Sequence, residues 1–449
     1  MSDIAATSDV GGASGTRWGR QTALAVENFR ISGERMPVDL LHAIVLVKAE
    51  AAAVNAARGV IDEARADAIR RACDEVLAGE FADQFPVDVF QTGSGTSSNM
   101  NVNEVVASRA AELLGDDVHP NDHVNASQSS NDVVPTAIRI AAGTLAEHEL
   151  LPALERLRDA LRDRATEHDS TVKLGRTHLM DAAPMTFGAE LRGWARMVEL
   201  GSDRVRDALG RARELPLGGT AVGTGLNAPA GFGADVIARL AQRTGIGWVE
   251  AVDHFEAQST QDALVELSAA SRAVALSLHK IAGDLRLLGS GPEGGLGEIE
   301  LPELQAGSSI MPGKVNPVIP EVVQQVAAQV VGNDATIVFA STLSTLQLNT
   351  AMPVIARSLV SSLRLLSTSS TALADKCVRS LTANTERMRH LAERSAAITM
   401  ILVPHVGYDV ATRVSKTMTR EGLSLADALA AEGVELPVEV DLLKLAKGE

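Results

Sequence analysis

The sequence predicts an all-α protein built around a bundle of long helices. Its 449 residues are enough for two or three domains with a large buried core. Aromatic residues make up only 3% of the chain, and an interior rich in alanine and leucine favours closely packed helices over a β-sandwich. Several long stretches with helical periodicity, without alternating strand patterns between them, predict a helical bundle.

The first third of the chain changes character twice. Residues 5–16 are small and polar and predict a disordered tail, whereas residues 37–79 have an alanine-rich helical periodicity. Between Phe85 and Asp132 the composition shifts to Gly, Ser, Thr, Asn, Asp and His. Such a composition is typical of loops that carry binding residues on a rigid frame.

Five long helices are predicted in the middle of the chain, near residues 134–166, 187–214, 256–288, 319–349 and 352–380. Leu150, Leu154, Leu157 and Leu161 repeat at helical spacing in the first. In the third, residues spaced alternately three and four apart form one seam for packing. They are Leu264, Leu267, Ser271, Val274, Leu278, Ile281, Leu285 and Leu288.

Two further segments interrupt this helical pattern. Residues 289–317 contain seven glycines and predict a mobile loop or lid between two helices. After Leu381 the helical stretches shorten, which predicts a small C-terminal domain. We therefore expect an N-terminal domain at 1–126, a central long-helix domain at 127–385 and a helical domain at 386–449.

Charge restricts the class of partner. The chain has 57 acidic and 41 basic residues, a net charge of −16, which argues against nucleic acid or an anionic membrane as the main partner. A small dicarboxylate is compatible with it, because such a ligand responds to its local pocket. We expect neither a membrane helix nor a secretory signal, so the predicted compartment is the cytoplasm.

The two cysteines, Cys73 and Cys377, limit redox and cluster chemistry. An iron–sulfur cluster usually takes three or four thiolates, so chemistry that uses such a cluster as a Lewis acid is excluded. A disulfide framework is not expected either. Both residues are predicted to be reduced thiols in the core.

Three polar segments lie beside predicted helices and are candidate binding sites: residues 92–101, 125–132 and 175–178. The second is closely followed by Pro135, and proline early in a helix marks a helix N-terminus. Free N–H groups and the positive end of the helix dipole favour a carboxylate there. Ordinary helix capping is the alternative.

A fourth candidate is the segment Gly307-Ser308-Ser309-Ile310-Met311-Pro312-Gly313-Lys314-Val315-Asn316-Pro317. It combines two hydroxyls with an ammonium and an amide. A carbanion that forms next to a carboxylate needs such charge stabilisation. A serine can act as a base only where an ammonium and backbone N–H groups stabilise its alkoxide. A surface turn is the alternative interpretation.

Other motifs lack the context they need. Residues 289–294 fit GxGxxG, but they follow a helix and contain a proline, which argues against a dinucleotide site. His119 and His123 lie four apart, yet Pro120 and the surrounding loop weaken the ligand geometry for a metal. No metal and no cofactor are therefore predicted. His178 by itself fits a hydrogen-bonded structural histidine better than a functional one.

Taken together and in this order, the segments resemble those of the class II fumarases of the aspartase/fumarase superfamily. The resemblance runs from about Gln21 to Leu425, and residues 307–317 look like the superfamily signature. It also includes residues 218–227. The resemblance implies a three-domain fold, a homotetramer whose long helices pool in one bundle, and active sites shared between three subunits. It implies reversible hydration of fumarate to L-malate, a step of the tricarboxylic acid cycle.

The resemblance also implies roles for individual residues. Ser308 would be the catalytic base, and His178 paired with Glu321 would handle the water that becomes the hydroxyl. His119, Pro120, Asn121 and Asp122 resemble an accessory dicarboxylate site. The substrate-binding set would be Ser94, Gly95, Thr96, Ser129, Ser130, Asn131, Thr177, Ser309, Lys314, Val315 and Asn316.

Two alternatives stay open. An aspartate ammonia-lyase uses the same scaffold, but Gly313 and residues 218–220 look like a fumarase, where aspartases more often have alanine. A catalytically inactive helical scaffold is the other, and the presence of Ser308, His178, Lys314 and Glu321 argues against it. Leu24 stands where most relatives have arginine, and Val403 where asparagine is common.

Overall fold

The computed structural model describes residues 15–436 and 441–448, and they are mostly helical. The predicted all-α class is confirmed. Residues 5–14 of the predicted tail lie outside the described residues. The N-terminal helices are α1 (Arg20–Asn28), α2 (Val38–Ala57), α3 (Glu63–Leu77) and α4 (Thr96–Leu114), with short helical turns at Ala82–Gln84 and Pro120–Val124.

Helix α2 is the most apolar of them. By length and composition it is the one helix in the described chain that could span a membrane, but 72% of its 18-residue apolar window is buried within the protein. Core helices of globular proteins have this character. Its few polar side chains therefore lie in an apolar environment.

The five predicted long helices are present. They are α5 (Ser130–Leu145), continued by a π-helical turn (Ala146–Leu150) and α6 (Leu151–Glu167); α7 (Phe187–Ala212); α10 (Asp262–Leu288); α11 (Val318–Ser341); and α12 (Met352–Leu373), followed by a π-helical turn (Ala374–Val378). Two shorter helices, α8 (Phe232–Thr244) and α9 (His254–Ser259), precede α10.

The predicted seam of α10 is confirmed, since all eight of its residues are at most 5% exposed. Two predicted boundaries were wrong. The stretch 256–288 is broken at Thr260, which has extended backbone angles and separates α9 from α10. The stretch 319–349 ends at Ser341, because Asn349 Nδ2 donates to Ala340 O and Ser344 Oγ and closes a small hairpin there.

Short strands accompany the helices. An antiparallel hairpin of β1 (Val172–Thr177) and β2 (Met180–Thr186) pairs Val172 with Thr186 and Thr177 with Met180. Its turn is formed by His178 and Leu179, both with positive φ (55° and 63°), the turn geometry that matches strand twist. The other strands are β3 (Glu214–Leu215), β4 (Val249–Glu250), β5 (Ile299–Glu300), β6 (Ser344–Thr345), β7 (Leu348–Asn349) and β8 (Thr382–Ala383).

The chain divides into two compact units. The first contains Met1–Leu151, Asp203–Ala273 and Ala328–Leu366, and the second contains Pro152–Ser202, Val274–Ala327 and Ser367–Glu449. The unit boundaries fall within or between the long helices, so the predicted three-domain division stays a prediction.

The chain after α12 has its own apolar cluster within the second unit, formed by Ile398, Leu402, Ala411, Val414, Met418, Leu425 and Ala428. Its helices are α13 (Thr385–Arg394), a 3₁₀ segment (Ala396–Leu402), α14 (Val403–Val406), α15 (Tyr408–Glu421), α16 (Leu425–Ala431) and α17 (Leu442–Lys447).

Candidate active site

The first unit brings together hydroxyls from two of the predicted binding segments. Thr96 Oγ1 lies 2.7 Å from Ser130 Oγ and 2.7 Å from Ser94 Oγ, so the first residues of α4 and α5 face each other. A Cβ at Gly95 would come within 2.8 Å of Val134 Cγ1, so glycine permits this approach. Two helix N-termini with three hydroxyls form a natural carboxylate site.

Asp132 fixes the segment 125–132 to the loop that contains Gly218 and Thr220. Its Oδ1 accepts a hydrogen bond from Ser129 N at 2.9 Å, and Ser129 Oγ caps α5, which completes a capping box. Its Oδ2 accepts from Gly218 N and Thr220 N, both at 3.0 Å. Burial raises the pKa of Asp132 to about 6, against the effect of these N–H donors.

The same loop receives a second link from α5. Asn131 Nδ2 donates to Ala221 O at 2.9 Å, so the amide group of this predicted binding residue is partly engaged within the unit. Hydrogen bonds of Thr96 with Ser130 and of Asn131 with Ala221 thus join residues 92–101, 125–131 and 218–227 within the first unit.

The predicted accessory segment forms a helical turn. The imidazole of His119 caps Pro120–Val124, since its Nδ1 accepts a hydrogen bond from Asp122 N at 3.1 Å. The backbone N–H of His119 donates to His123 Nδ1 at 2.8 Å. Asn121 and Asp122 are exposed. In the part of the chain that the structure describes, no group of three or more His, Cys, Asp or Glu side chains is placed to hold a metal ion.

In the second unit, residues 175–178 lie at the end of β1 and in the hairpin turn. Thr177 and His178 are exposed at the tip. Arg176 Nη2 donates to Glu298 Oε1 at 2.9 Å, and Lys173 Nζ lies 3.3 Å from Glu298 Oε2. Glu298 is fully buried in the glycine-rich stretch that leads to the predicted base segment, so the hairpin is held to that stretch.

The base segment folds into a closed loop. Asn316 Nδ2 donates to Gly307 O at 2.7 Å, and a Cβ at Gly307 would lie 1.9 Å from Lys314 O, so only glycine fits there. Ser308 Oγ accepts from Ile310 N at 3.2 Å and Met311 N at 3.1 Å. These donors are of the kind that a serine base requires.

The other predicted residues of this loop face solvent. Ser309, Lys314 and Val315 are exposed. The GxGxxG match at 289–294 follows α10 rather than a strand, as the sequence indicates.

Glu321 lies in the first turn of α11, where its carboxylate is 3.9 Å from Arg286 Nη2. Among the described residues, no hydrogen bond or ion pair joins it to His178. The pairing of these two residues therefore stays a prediction for an assembly of several chains.

Comparison with known proteins decides the family. Residues 9–332 match a family described as "Lyase". The chain is 49% identical to a class II fumarate hydratase of Corynebacterium efficiens over 439 residues, which covers 96% of this chain and 93% of the relative. A class II fumarate hydratase of Mycobacterium tuberculosis is 49% identical over 441 residues, with the same shares covered. The chain belongs to the class II fumarate hydratase family.

A solved structure supports this placement. The class II fumarase of Schistosoma mansoni superposes with a TM-score of 0.92 at 35% identity, covering 97% of this chain and 96% of that one. The resemblance to class II fumarases that the sequence motifs predict is thereby confirmed, and with it the lyase class. For this fumarase family member, the individual site residues remain proposals.

Sequence reasoning missed several residues that hold the polar segments in place. Lys48 and Asn55 on α2 bond to residues 125–127, and Glu298 and Lys173 bond within the second unit. A signal existed for α2: Lys48 and Asn55 are seven residues apart, hence on one face of an otherwise apolar helix. The β1–β2 hairpin was missed as well.

Proposed function

We propose that this chain is a fumarate hydratase that interconverts fumarate and L-malate. The observation that carries the proposal is the similarity over nearly its whole length to relatives named class II fumarate hydratase. The arrangement of Ser308 on its closed loop supports it, because two backbone N–H groups point at the oxygen that has to carry charge.

In the proposed reaction, Ser308 as alkoxide takes the C3 proton of malate. The electron pair of the broken C–H bond passes to the neighbouring carboxylate and gives a dianionic aci-carboxylate. Lys314 would stabilise that charge, as a fixed cation does best where charge develops. Asn316 would contribute the amide N–H that its bond to Gly307 leaves free.

The hydroxyl at C2 then leaves as water. His178 would donate the proton that the leaving oxygen needs, and Glu321 of a neighbouring copy would orient the imidazole and balance its charge. The double bond forms as the C2–O bond breaks, so fumarate and water are the products. Hydration runs through the same steps in reverse.

We propose that the hydroxyl cluster of the first unit binds the substrate carboxylates. Ser94, Gly95, Thr96, Ser129, Ser130 and Asn131 lie at two helix N-termini, where N–H groups and dipoles favour an anion. Thr177 and Ser309 would complete the set from other copies, with Val315 lining the loop. Residues 119–122 would form a second dicarboxylate site.

A homotetramer with active sites shared between three subunits is the proposed assembly. Helix α11 exposes Val322, Val331, Val338 and Phe339, the last at 71% of its surface, and such apolar exposure on a long helix is typical of a contact surface. We propose the cytoplasm as compartment, consistent with the free thiols Cys73 and Cys377, and the tricarboxylic acid cycle as pathway.

Ammonia elimination from aspartate is the rival function. The glycines that favour a fumarase occupy positions where a larger side chain would clash or strain the backbone. A Cβ at Gly219 would lie 2.1 Å from Gln258 Oε1, and Gly313 has φ +76°. Alanine at either place would strain the backbone or displace a neighbour.

Replacing Ser308 by alanine tests the assigned base. We expect kcat for malate to fall by about 10²–10⁴-fold, the usual contribution of a positioned base, while the oligomer stays intact. Ser290→Ala is the control, because Ser290 lies in the same glycine-rich segment but its hydroxyl bonds only to the backbone of Leu287 at the end of α10 and of Leu296. Unchanged turnover in Ser308→Ala would refute the role of Ser308.

A further inference from the structure

Lys48 is a fully buried lysine without a counter-ion. It is 0% exposed on α2, and its Nζ donates to two neutral acceptors, Asn125 Oδ1 at 2.8 Å and Gln128 Oε1 at 3.0 Å. No carboxylate of the described residues forms an ion pair with it. The other deeply buried lysine, Lys173, lies between the carboxylates of Glu190 and Glu298.

Burying an ammonium in this way costs stability. Amide oxygens satisfy the N–H groups but do not neutralise the charge, so an apolar side chain would be cheaper for the fold. Burial lowers the pKa of Lys48 to about 7, and the charge of Asp132 opposes that shift. What Lys48 contributes must therefore be sought in the segment that it contacts.

Asn125 is the centre of a set of hydrogen bonds that converge on this segment. Besides Lys48, its Oδ1 accepts from Asn99 Nδ2 at 3.2 Å and Asn103 Nδ2 at 3.3 Å, both on α4. Its own Nδ2 donates to Gln128 O at 3.2 Å. The hydrogen bond from Lys48 links helix α2 to the side chain of Asn125.

Gln128 and Asn55 fix the remaining backbone. Gln128 Nε2 donates to Val124 O and Ala126 O, so its side chain spans the turn while Lys48 holds its oxygen. Asn55 Nδ2 donates to Ala126 O at 2.9 Å and its Oδ1 accepts from Ser127 Oγ at 2.7 Å. Ser127 has φ 63°, a strained value for serine that these contacts maintain.

The next residues along the chain are Ser129, Ser130 and Asn131, which we assign to carboxylate binding. We propose that Lys48 is a positioning residue: it fixes Asn125 and Gln128 and thereby sets the place of Ser129, Ser130 and Asn131 for the substrate. This inference rests on the proposed function. Lys48 itself does not touch the substrate.

The variant Lys48→Met removes the ammonium but keeps an unbranched apolar chain. We expect KM for malate and fumarate to rise about tenfold with kcat within about threefold, because ground-state and transition-state binding are lost together. Amide exchange of the peptide covering residues 125–131 should accelerate.

Glu50→Gln is the control, since Glu50 is buried on the same helix but pairs with Arg239 and Arg243. It should lower the melting temperature without changing KM or that exchange.

A double-mutant cycle with Asn125→Ala tests whether Lys48 acts through Asn125. The rise in KM of Lys48→Met/Asn125→Ala should be smaller than the product of the two single effects, since both changes remove the hydrogen bond between Lys48 and Asn125. Asn125→Ala by itself should raise KM and exchange too, which keeps the test decisive if Lys48→Met does not fold.

Three results would overturn the proposal. They are an unchanged KM in Lys48→Met, unchanged amide exchange of residues 125–131 in that variant, or KM effects of Lys48→Met and Asn125→Ala that multiply in the double variant. A wild-type chain that turns over neither malate nor fumarate would instead refute the proposed function. In that case the amide exchange alone decides whether Lys48 fixes the segment.

Discussion

Arg176 Nη2 donates a 2.9 Å hydrogen bond to Glu298 Oε1, and this contact joins two segments with proposed catalytic residues. Arg176 precedes the turn that carries His178, and Glu298 lies ten residues before Ser308. The carboxylate is fully buried and Lys173 lies against its other oxygen. A buried pair of this kind is sensitive to the loss of one partner.

Glu298→Gln should therefore lower both stability and turnover. Removing the carboxylate leaves Arg176 and Lys173 without that counter-charge in the interior, which costs about 3–5 kcal/mol of unfolding free energy by the usual measure for broken buried pairs. Thermal unfolding and malate kinetics measure the two effects. Glu199, which pairs with Arg162 and Arg196 in a solvent-screened position, provides the control, since Glu199→Gln should leave thermal unfolding nearly unchanged. Equal effects of the two substitutions would contradict this role of Glu298.

Asp132→Asn should weaken substrate binding. The asparagine has one acceptor oxygen where the carboxylate serves three N–H groups, and a buried N–H without acceptor costs about 1–3 kcal/mol. The loop of Gly218 and Thr220 and the cap of α5 should both loosen. We expect a higher KM for malate and a lower melting temperature. Asp427→Asn, at the exposed start of α16, should leave KM unchanged; an unaltered KM in Asp132→Asn would refute the link.

Lys48 should make the stability of the wild type depend on pH. Its pKa is about 7 in the folded chain against an ordinary value of 10.5; the charge of Asp132 on α5 opposes this shift, and Cys73 on α3, a thiol that burial keeps neutral, is the other titratable group that faces it. Between these two values the unfolded chain keeps a proton that the folded chain has released. The free energy of unfolding therefore increases as pH rises, by up to about 1.4 kcal/mol per pH unit.

The variant Lys48→Met lacks this titration. The melting temperature of the wild type, relative to that of Lys48→Met, should therefore rise from pH 7 to pH 9. Glu50→Gln, compared in the same way, should show no such trend. A constant difference between wild type and Lys48→Met over this range would mean that Lys48 keeps its ordinary pKa in the folded protein.

Both cysteines should resist thiol reagents in the native state. Cys73 and Cys377 are free and buried, as the sequence predicts, and burial raises the pKa of Cys377 to about 12 and that of Cys73 further. Since the thiolate is the reactive form, we expect less than about a tenth of a thiol per chain to react with Ellman's reagent at neutral pH. Two should react after denaturation in urea. Rapid native labelling would contradict their burial.

The sequence predicts the long helices well because their seams repeat over many turns, as the buried row from Leu264 to Leu288 shows. The β1–β2 hairpin could not be predicted in that way. Its strands contain Gly175 and Pro184, which are poor strand formers, and its turn has His178 and Leu179 rather than the usual Asn-Gly. Short strands without alternating apolar residues leave no periodic signal.

Residue types alone mark residues 94–96 and the loop of Ser308 as candidate segments, whereas the role of each residue is what the family resemblance implies. The residues that support them could not be found in this way. Lys48 and Glu298 are ordinary charged residues in sequence, and their importance comes from burial and from partners 77 and 122 residues away. The proposed pairing of His178 with Glu321 would likewise need contacts outside a single chain.

The most direct test of the proposed function compares malate and aspartate as substrates of the purified chain. Fumarate has a conjugated double bond that absorbs in the ultraviolet, so either elimination can be followed by the same signal. We predict that absorbance rises with L-malate, falls when fumarate is supplied in water, and does not change with L-aspartate. A rise with aspartate and none with malate would contradict the central claim and assign the chain to ammonia elimination.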